Sequence, residues 1–318
     1  MRRSYNANSS RSVHGYSRTA EYMALFRALE SARRSHVRLF TDRWARDFLR
    51  PSYAAAVALA RFQPIHSAIC WYIDRRWPGA RPAAVARTRY IDDLLADAVR
   101  NGMSQAVILG AGFDMRAYRI DGIAMCRVVE IDRHETSELK RTFVRRSFRS
   151  MPGNVTHVAA DFNDQNIGDV LQESGLRMEL PIFFLWEGVT NYLNEESVDR
   201  TLRLIATATT GSRVLFTYVD RDVLGSDSQF HHTRRVRDRL SRVDEPWTFG
   251  FGPPLLSQYL DVRGFRLLSD VDSVSLRSKY MGATGSHLRG YEFYRVALAE
   301  VIRVTNHHGG VHSERSMG

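Results

Sequence analysis

The chain has 318 residues, 44% of them hydrophobic and 25% charged, with a formal net charge of +10. That length and apolar content suffice for the core of an enzyme-sized globular protein. The longest apolar stretches, residues 52–60 and 181–186, fall far short of the ~20 residues a membrane-spanning helix needs.

Two cysteines, Cys70 and Cys126, are too few for a disulfide framework or a four-thiolate zinc site. All but two of the 45 basic residues are arginine, the exceptions being Lys140 and Lys279. Guanidinium groups favour planar anions, so nucleic acid or an acidic substrate is one reading of this bias. The arginines are scattered along the chain, which favours the other reading, a solvated surface. Composition leaves the substrate open.

Residues 1–18 and 305–318 are polar and lack an apolar period, and both read as flexible tails. The first of them carries arginines without the apolar core of a secretory signal, so a cytoplasmic location is expected. Over residues 19–34, Tyr22, Leu25, Phe26 and Leu29 recur at helical spacing. Further helical patterns at about 41–49, 53–62 and 83–101 make residues 19–103 a helical cap.

From residue 104 short apolar runs alternate with helical patterns. Strands are expected at 106–110, 126–132, 156–161, 181–186 and 212–219, and helices at roughly 133–147, 164–174 and 194–209. Apolar strands separated by helices imply a parallel sheet covered on both faces. A polar, lid-like segment at 220–252 precedes a helix near 253–262, then runs at 265–269 and 291–301 that read as a hairpin-type pair at the sheet edge. The expected fold is α/β and Rossmann-like: a mostly parallel seven-stranded sheet over 104–304 with helices on both faces and the N-terminal cap.

The first expected strand runs into Gly110-Ala111-Gly112-Phe113-Asp114. Glycines there let the backbone approach a ligand at the carboxyl end of the strand. Glu130, in Val128-Val129-Glu130-Ile131-Asp132 at the end of the next strand, is placed to accept from ribose hydroxyls. A dinucleotide fingerprint would need a third glycine, but Met115 stands there, and Asp114 puts negative charge where a pyrophosphate wants a bare helix N-terminus. A cationic, phosphate-free nucleoside such as S-adenosylmethionine suits this turn better.

Five motifs in order then carry a resemblance: RTRYIDD at 87–93, LGAGFDMRAYRI at 109–120, VEID at 129–132, Asp161-Phe162, and WEGVTNYL at 186–193. Together with TAEYMALFRALES and TDRWARDFL near the N-terminus, they resemble the leucine carboxyl methyltransferase family, in particular its bacterial branch of secondary-metabolism O-methyltransferases, over about residues 17–300. Met115 departs from the threonine usual in that branch, and Arg43-Trp44 from its usual proline.

The resemblance implies S-adenosylmethionine as cofactor and S-adenosylhomocysteine as product. It implies that Arg87 or Arg89 grips the cofactor carboxylate, that Gly110, Ala111, Gly112 and Asp114 form the approach turn, and that Glu130 with Ile131 holds the ribose. Asp161 and Phe162 would meet the adenine, and Glu187 with Gly188 the ammonium group.

Methyl transfer is an in-line displacement at an activated carbon, so the protein's task is to place the nucleophile. A carboxylate is ionised at neutral pH and needs no base, whereas a hydroxyl or phenol would usually need one. Asp220, His231 and His232 are the candidate bases, but none sits in a recognisable dyad. Carboxyl methylation is therefore the favoured expectation. Tyr192, Arg221, Tyr291 and Arg295 are the candidate catalytic residues that would receive the acceptor, a small molecule or peptide. No metal site, membrane partner or nucleic-acid partner is expected; a hydroxyl or nucleic-acid methyltransferase, or a cofactor-binding protein without methyl transfer, are the alternatives.

Overall fold

The computed structural model describes residues 18–302 apart from 149, 162–166, 226–227, 229, 231–232, 235, 237, 239–245 and 287–289. The expected tails lie mostly, and Phe162, His231 and His232 wholly, outside these residues.

Four α-helices precede the first strand: α1 (Arg18–Ser31), α2 (Pro51–Leu59), α3 (Gln63–Arg76) and α4 (Ala80–Arg100). Pro51 opens α2 and Pro64 lies in the first turn of α3, positions where the missing N–H costs nothing. Of the helix expected at 41–49, only a 3₁₀ turn at Ala45–Phe48 forms. The helix α3 was not expected: its apolar residues lie on its exposed side as well as its buried one, which blurs the period.

The sheet comprises β1 (Gln105–Leu109), β2 (Arg127–Asp132), β3 (Val155–Ala159), β4 (Phe183–Trp186), β5 (Arg213–Val219), β6 (Phe265–Asp272) and β7 (Tyr294–Val301). Its order is β3-β2-β1-β4-β5-β7-β6. Strands β1 to β5 are parallel, and β7 runs antiparallel to both β5 and β6. The last two strands do pair antiparallel, but β7 lies inside the sheet and only β6 is at the edge. A helix, α10 (Ser273–Ser286), joins them instead of a hairpin turn; its weak apolar period and Gly282 hid it in the sequence.

The remaining helices are α5 (Arg116–Arg119), α6 (His134–Phe148), α7 (Ile167–Glu173), α8 (Glu195–Ile205) and α9 (Leu256–Asp261). Alternate strand residues feed two cores. Val107, Leu109, Phe184, Trp186, Val214 and Phe216 meet α8 on one face, while Ala106, Ile108, Phe183, Leu185 and Leu215 meet α4 and α10 on the other. Period-2 side-chain alternation, apolar on both sides, is what a covered parallel sheet requires. Because the chain order reverses between β1 and β4, their loops part and open a crevice at the strands' carboxyl ends.

Candidate active site

The turn after β1 is shaped by three constraints. Gly110 and Gly112 adopt φ of 68° and 44°, a region L side chains avoid. The Gly110 and Ala111 amides donate to the Ile131 carbonyl at 2.8 and 3.1 Å, and the Gly112 amide donates to Asp132 Oδ2 at 2.5 Å. A Cβ on Gly110 would lie 2.3 Å from Val189 Cγ2, so the residue is confined by φ and by space together.

The turn floors a cavity of about 490 Å³, a size suited to a small-molecule ligand. Asp114, Asp132, Asp161, Glu187 and Gly188 border it on the sheet side, Thr19, Met23 and Arg27 of α1 and Arg87 of α4 on the cap side. Tyr192, Trp247, Tyr291 and Tyr294 form an aromatic wall. Tyr291 is held at φ 61°, the one described non-glycine residue in the left-handed region.

Arg116 organises the acids beneath the turn. Its side chain is buried, and donates from Nε to Asp92 Oδ1 at 2.7 Å and from Nη1 to Asp114 Oδ2 at 2.5 Å and Glu187 Oε2 at 2.6 Å. Arg87 Nε donates to the other Glu187 oxygen at 2.7 Å, and its guanidinium lies 4.7 Å from the Tyr294 ring centre. Burial pushes the Glu187 carboxyl up, but Arg116 and Arg87 outweigh it and bring it down to about 2. Asp114 is shifted the same way: burial raises it, and Arg116 carries it below the ordinary carboxylate range. Both groups are therefore fixed negative charges.

Several expected site residues lie elsewhere. Glu130 does not reach the cavity: it sits opposite Ile108 in mid-sheet, fully enclosed, with Lys140 Nζ 2.9 Å from Oε1 and His157 Nδ1 3.3 Å from Oε2. Asp132, two residues on and past the last β1 pair, borders the cavity instead. Ile131 is a core residue that offers only its carbonyl to the turn. Arg89 points away to Asp93 and the Leu39 carbonyl; on a helix, neighbours two apart face different ways, and Arg87 takes the cavity side. Arg221 is exposed and bonds the Gly250 carbonyl, Arg295 is bound to Asp270, and neither borders the cavity. Asp220 caps its own turn through the Asp222 amide.

Arg87, Gly110, Ala111, Gly112, Asp114, Asp161, Glu187, Gly188, Tyr192 and Tyr291 do converge on the cavity. Sequence reasoning missed Asp132, Arg27, Arg116, Trp247 and Tyr294. The acid in Val129-Glu130-Ile131-Asp132 was recognisable, but only the register with β1 says which of the two clears the strand end.

A sheet of this order with an acid-lined cavity at its switch point defines a Rossmann-like methyltransferase fold. The fold is similar to that of a "duf574 family protein" from Streptomyces avermitilis, with a TM-score of 0.58 and 13% identity over 91% of this chain and 98% of that one. It is also similar to a "putative methyltransferase" from Thermobifida fusca, with a TM-score of 0.53 and 15% identity over 76% and 90%. The leucine carboxyl methyltransferase family model matches residues 20–206, and the chain belongs to that family. Curated relatives named "Putative S-adenosyl-L-methionine-dependent methyltransferase" include one from Mycobacterium avium, 41% identical over 42% of this chain and 43% of its own length. Another, from Mycobacterium marinum, is 33% identical over 48% and 51%. The matches thus span about half the length of these relatives or less.

Proposed function

We propose that the protein is an S-adenosylmethionine-dependent O-methyltransferase acting on the carboxylate of a small molecule or peptide and releasing S-adenosylhomocysteine. The observation that carries this reading is the acidic floor of the cavity, where Asp114, Asp132, Asp161 and Glu187 surround a turn whose glycines permit close approach. Such a floor repels a pyrophosphate and suits a nucleoside bearing sulfonium and ammonium charges. The names of the mycobacterial relatives support the same cofactor.

When bound, the cofactor supplies a methyl carbon activated by its sulfonium. The chain's own groups bind and orient. In this reading Asp132 accepts from the ribose hydroxyls, Asp161 from the adenine amino group, and Glu187 faces the ammonium. Arg87, whose Nε donates to Glu187 and whose Nη2 donates to Met23 Sδ at 3.5 Å, offers Nη1 to the carboxylate. The α1 wall and the aromatic residues exclude water and hold the acceptor against the methyl, with the Tyr192 and Tyr291 hydroxyls as donors to it. No histidine is found among the described cavity residues, and a carboxylate acceptor needs no base.

Isothermal titration with S-adenosylmethionine, S-adenosylhomocysteine and NADH tests the cofactor. Binding of the first two and not the third is expected; failure of both nucleosides overturns the proposal. A screen of carboxylic acids with the labelled cofactor then tests the acceptor, the expected product being a base-labile methyl ester. A base-stable product would assign a hydroxyl acceptor instead.

A further inference from the structure

The hairpin of α2 and α3 carries an apolar surface that the cavity does not use. Of the eleven exposed large hydrophobic residues among those described, five fall between residues 59 and 72: Leu59 (52% exposed), Phe62 (51%), Ile65 (37%), Trp71 (64%) and Tyr72 (62%). Scattered single hydrophobics are normal on a protein surface, whereas a cluster of this density marks an interaction site. Helical geometry gathers it. His66, Cys70 and Ile73 form the buried stripe of α3, while Ile65, Ala68 and Tyr72 form a stripe on the opposite side, flanked by Trp71. Leu59 and Phe62 extend the patch around the turn that joins the two helices. None of residues 59–76 borders the cavity.

The charge of this face is one-sided. Residues 59–76 contain three arginines, at 61, 75 and 76, and a single acid, Asp74, which is already bound to Arg81 at 3.0 and 2.6 Å. Arg61 lies over the Phe62 ring at 4.9 Å and Arg75 over the Trp71 ring at 5.8 Å. A second copy of the chain is a poor occupant, because a two-fold contact would set these arginines against their own copies without an acid between them. An anionic bilayer satisfies every element at once. Leucine, phenylalanine and isoleucine enter the acyl boundary, tryptophan and tyrosine occupy the head-group level, and the arginines meet lipid phosphates.

We infer that the α2–α3 hairpin is a peripheral docking surface for anionic lipid bilayers. The inference departs from the expectation of no membrane partner, which rested on the lack of a spanning segment; contact in the interface plane needs none. The hairpin that carries the surface packs on α1, whose Thr19, Met23 and Arg27 border the cavity. Tyr22 of α1 packs against Tyr53 of α2 and Trp77 just after α3, with ring centres 6.5 and 5.2 Å apart, so docking would hold the α1 side of the cavity near the membrane. The inference stands on the surface alone and does not depend on the cofactor or the acceptor.

Flotation of the full chain with phosphatidylcholine vesicles, with and without phosphatidylglycerol, tests it. Binding is expected only with phosphatidylglycerol, weakening as salt rises. The partition coefficient should fall at least about tenfold in F62S/W71S/Y72S and in R61Q/R75Q/R76Q. Vesicles with brominated acyl chains supply a second measurement on an almost unaltered protein: quenching is expected to be reduced in W71F. Absence of vesicle binding, binding that all three variants leave unchanged, or a concentration-dependent dimer abolished by F62S/W71S/Y72S would each overturn the inference.

Discussion

Lys140 and Glu130 form an enclosed ion pair, with Nζ 2.9 Å from Oε1, directly behind the turn that floors the cavity. The same ammonium donates to the Asp114 carbonyl and stands 3.4 Å from that of Ala111. Removing one partner of such a pair strands the other, which typically costs about 3–5 kcal/mol, while removing both costs much less. K140M should therefore lower the urea midpoint more than the K140M/E130Q double variant does. Strict additivity in this double-mutant cycle would mean that the two groups do not act as a pair.

The division of labour between Glu130 and Asp132 yields a second expectation. D132A should weaken S-adenosylmethionine at least about tenfold, the loss expected for one charge-assisted hydrogen bond or more, and, by freeing the Gly112 amide, lower the melting temperature by less than E130Q does. E130Q should do the reverse, lowering the melting temperature first. R89A, altering a half-exposed side chain paired with Asp93, should leave affinity within about twofold, an energy difference well below that of a hydrogen bond. Calorimetric titration beside thermal melts separates these outcomes; an affinity loss in R89A matching that of D132A would reassign the carboxylate-binding arginine.

The strands were legible because a covered parallel sheet demands short apolar runs, and β1 to β5 supply them. What sequence could not supply was depth. Glu130 and Asp132 share a parity and hence a face, and only the pairing of Glu130 with Ile108 and of Ile131 with Leu109 places one between its neighbours and the other past the last β1 pair. The arginines were opaque for a related reason. With arginine spread throughout the chain, nothing local distinguishes Arg116, enclosed among Asp92, Asp114 and Glu187, from solvated ones such as Arg221. Helix α3 escaped notice because its exposed side is as apolar as its buried side.

Gly110 offers a test of the turn itself. In G110A the new methyl would meet Val189 Cγ2 at 2.3 Å and the residue would keep a left-handed φ, which costs an L side chain about 1–2 kcal/mol. Relieving the clash with V189A should recover part of the lost stability and ligand affinity, leaving the conformational part behind. Recovery to the wild-type value would show that space alone constrains the position, and no recovery that φ alone does.

His157 links the buried network to pH. Its Nε2 meets the Tyr118 hydroxyl at 2.9 Å, and burial, reinforced by Lys140 and by Arg141 and Arg145, pushes it from 6.5 down to about 4. A folded-state value below the unfolded one means that the unfolded chain takes up the proton first. The stability that neutral His157 confers is therefore present above about pH 6.5 and lost as pH falls towards 4. Glu130 works in the opposite sense: burial raises it to about 7 against the pull of Lys140, so its contribution declines as pH rises from 4.5 towards 7. The difference between wild type and H157Q isolates the first effect. The melting-temperature gap between them should narrow steadily from pH 6.5 to pH 4; a gap constant across that interval would mean that His157 is protonated as readily in the folded chain as in the unfolded one.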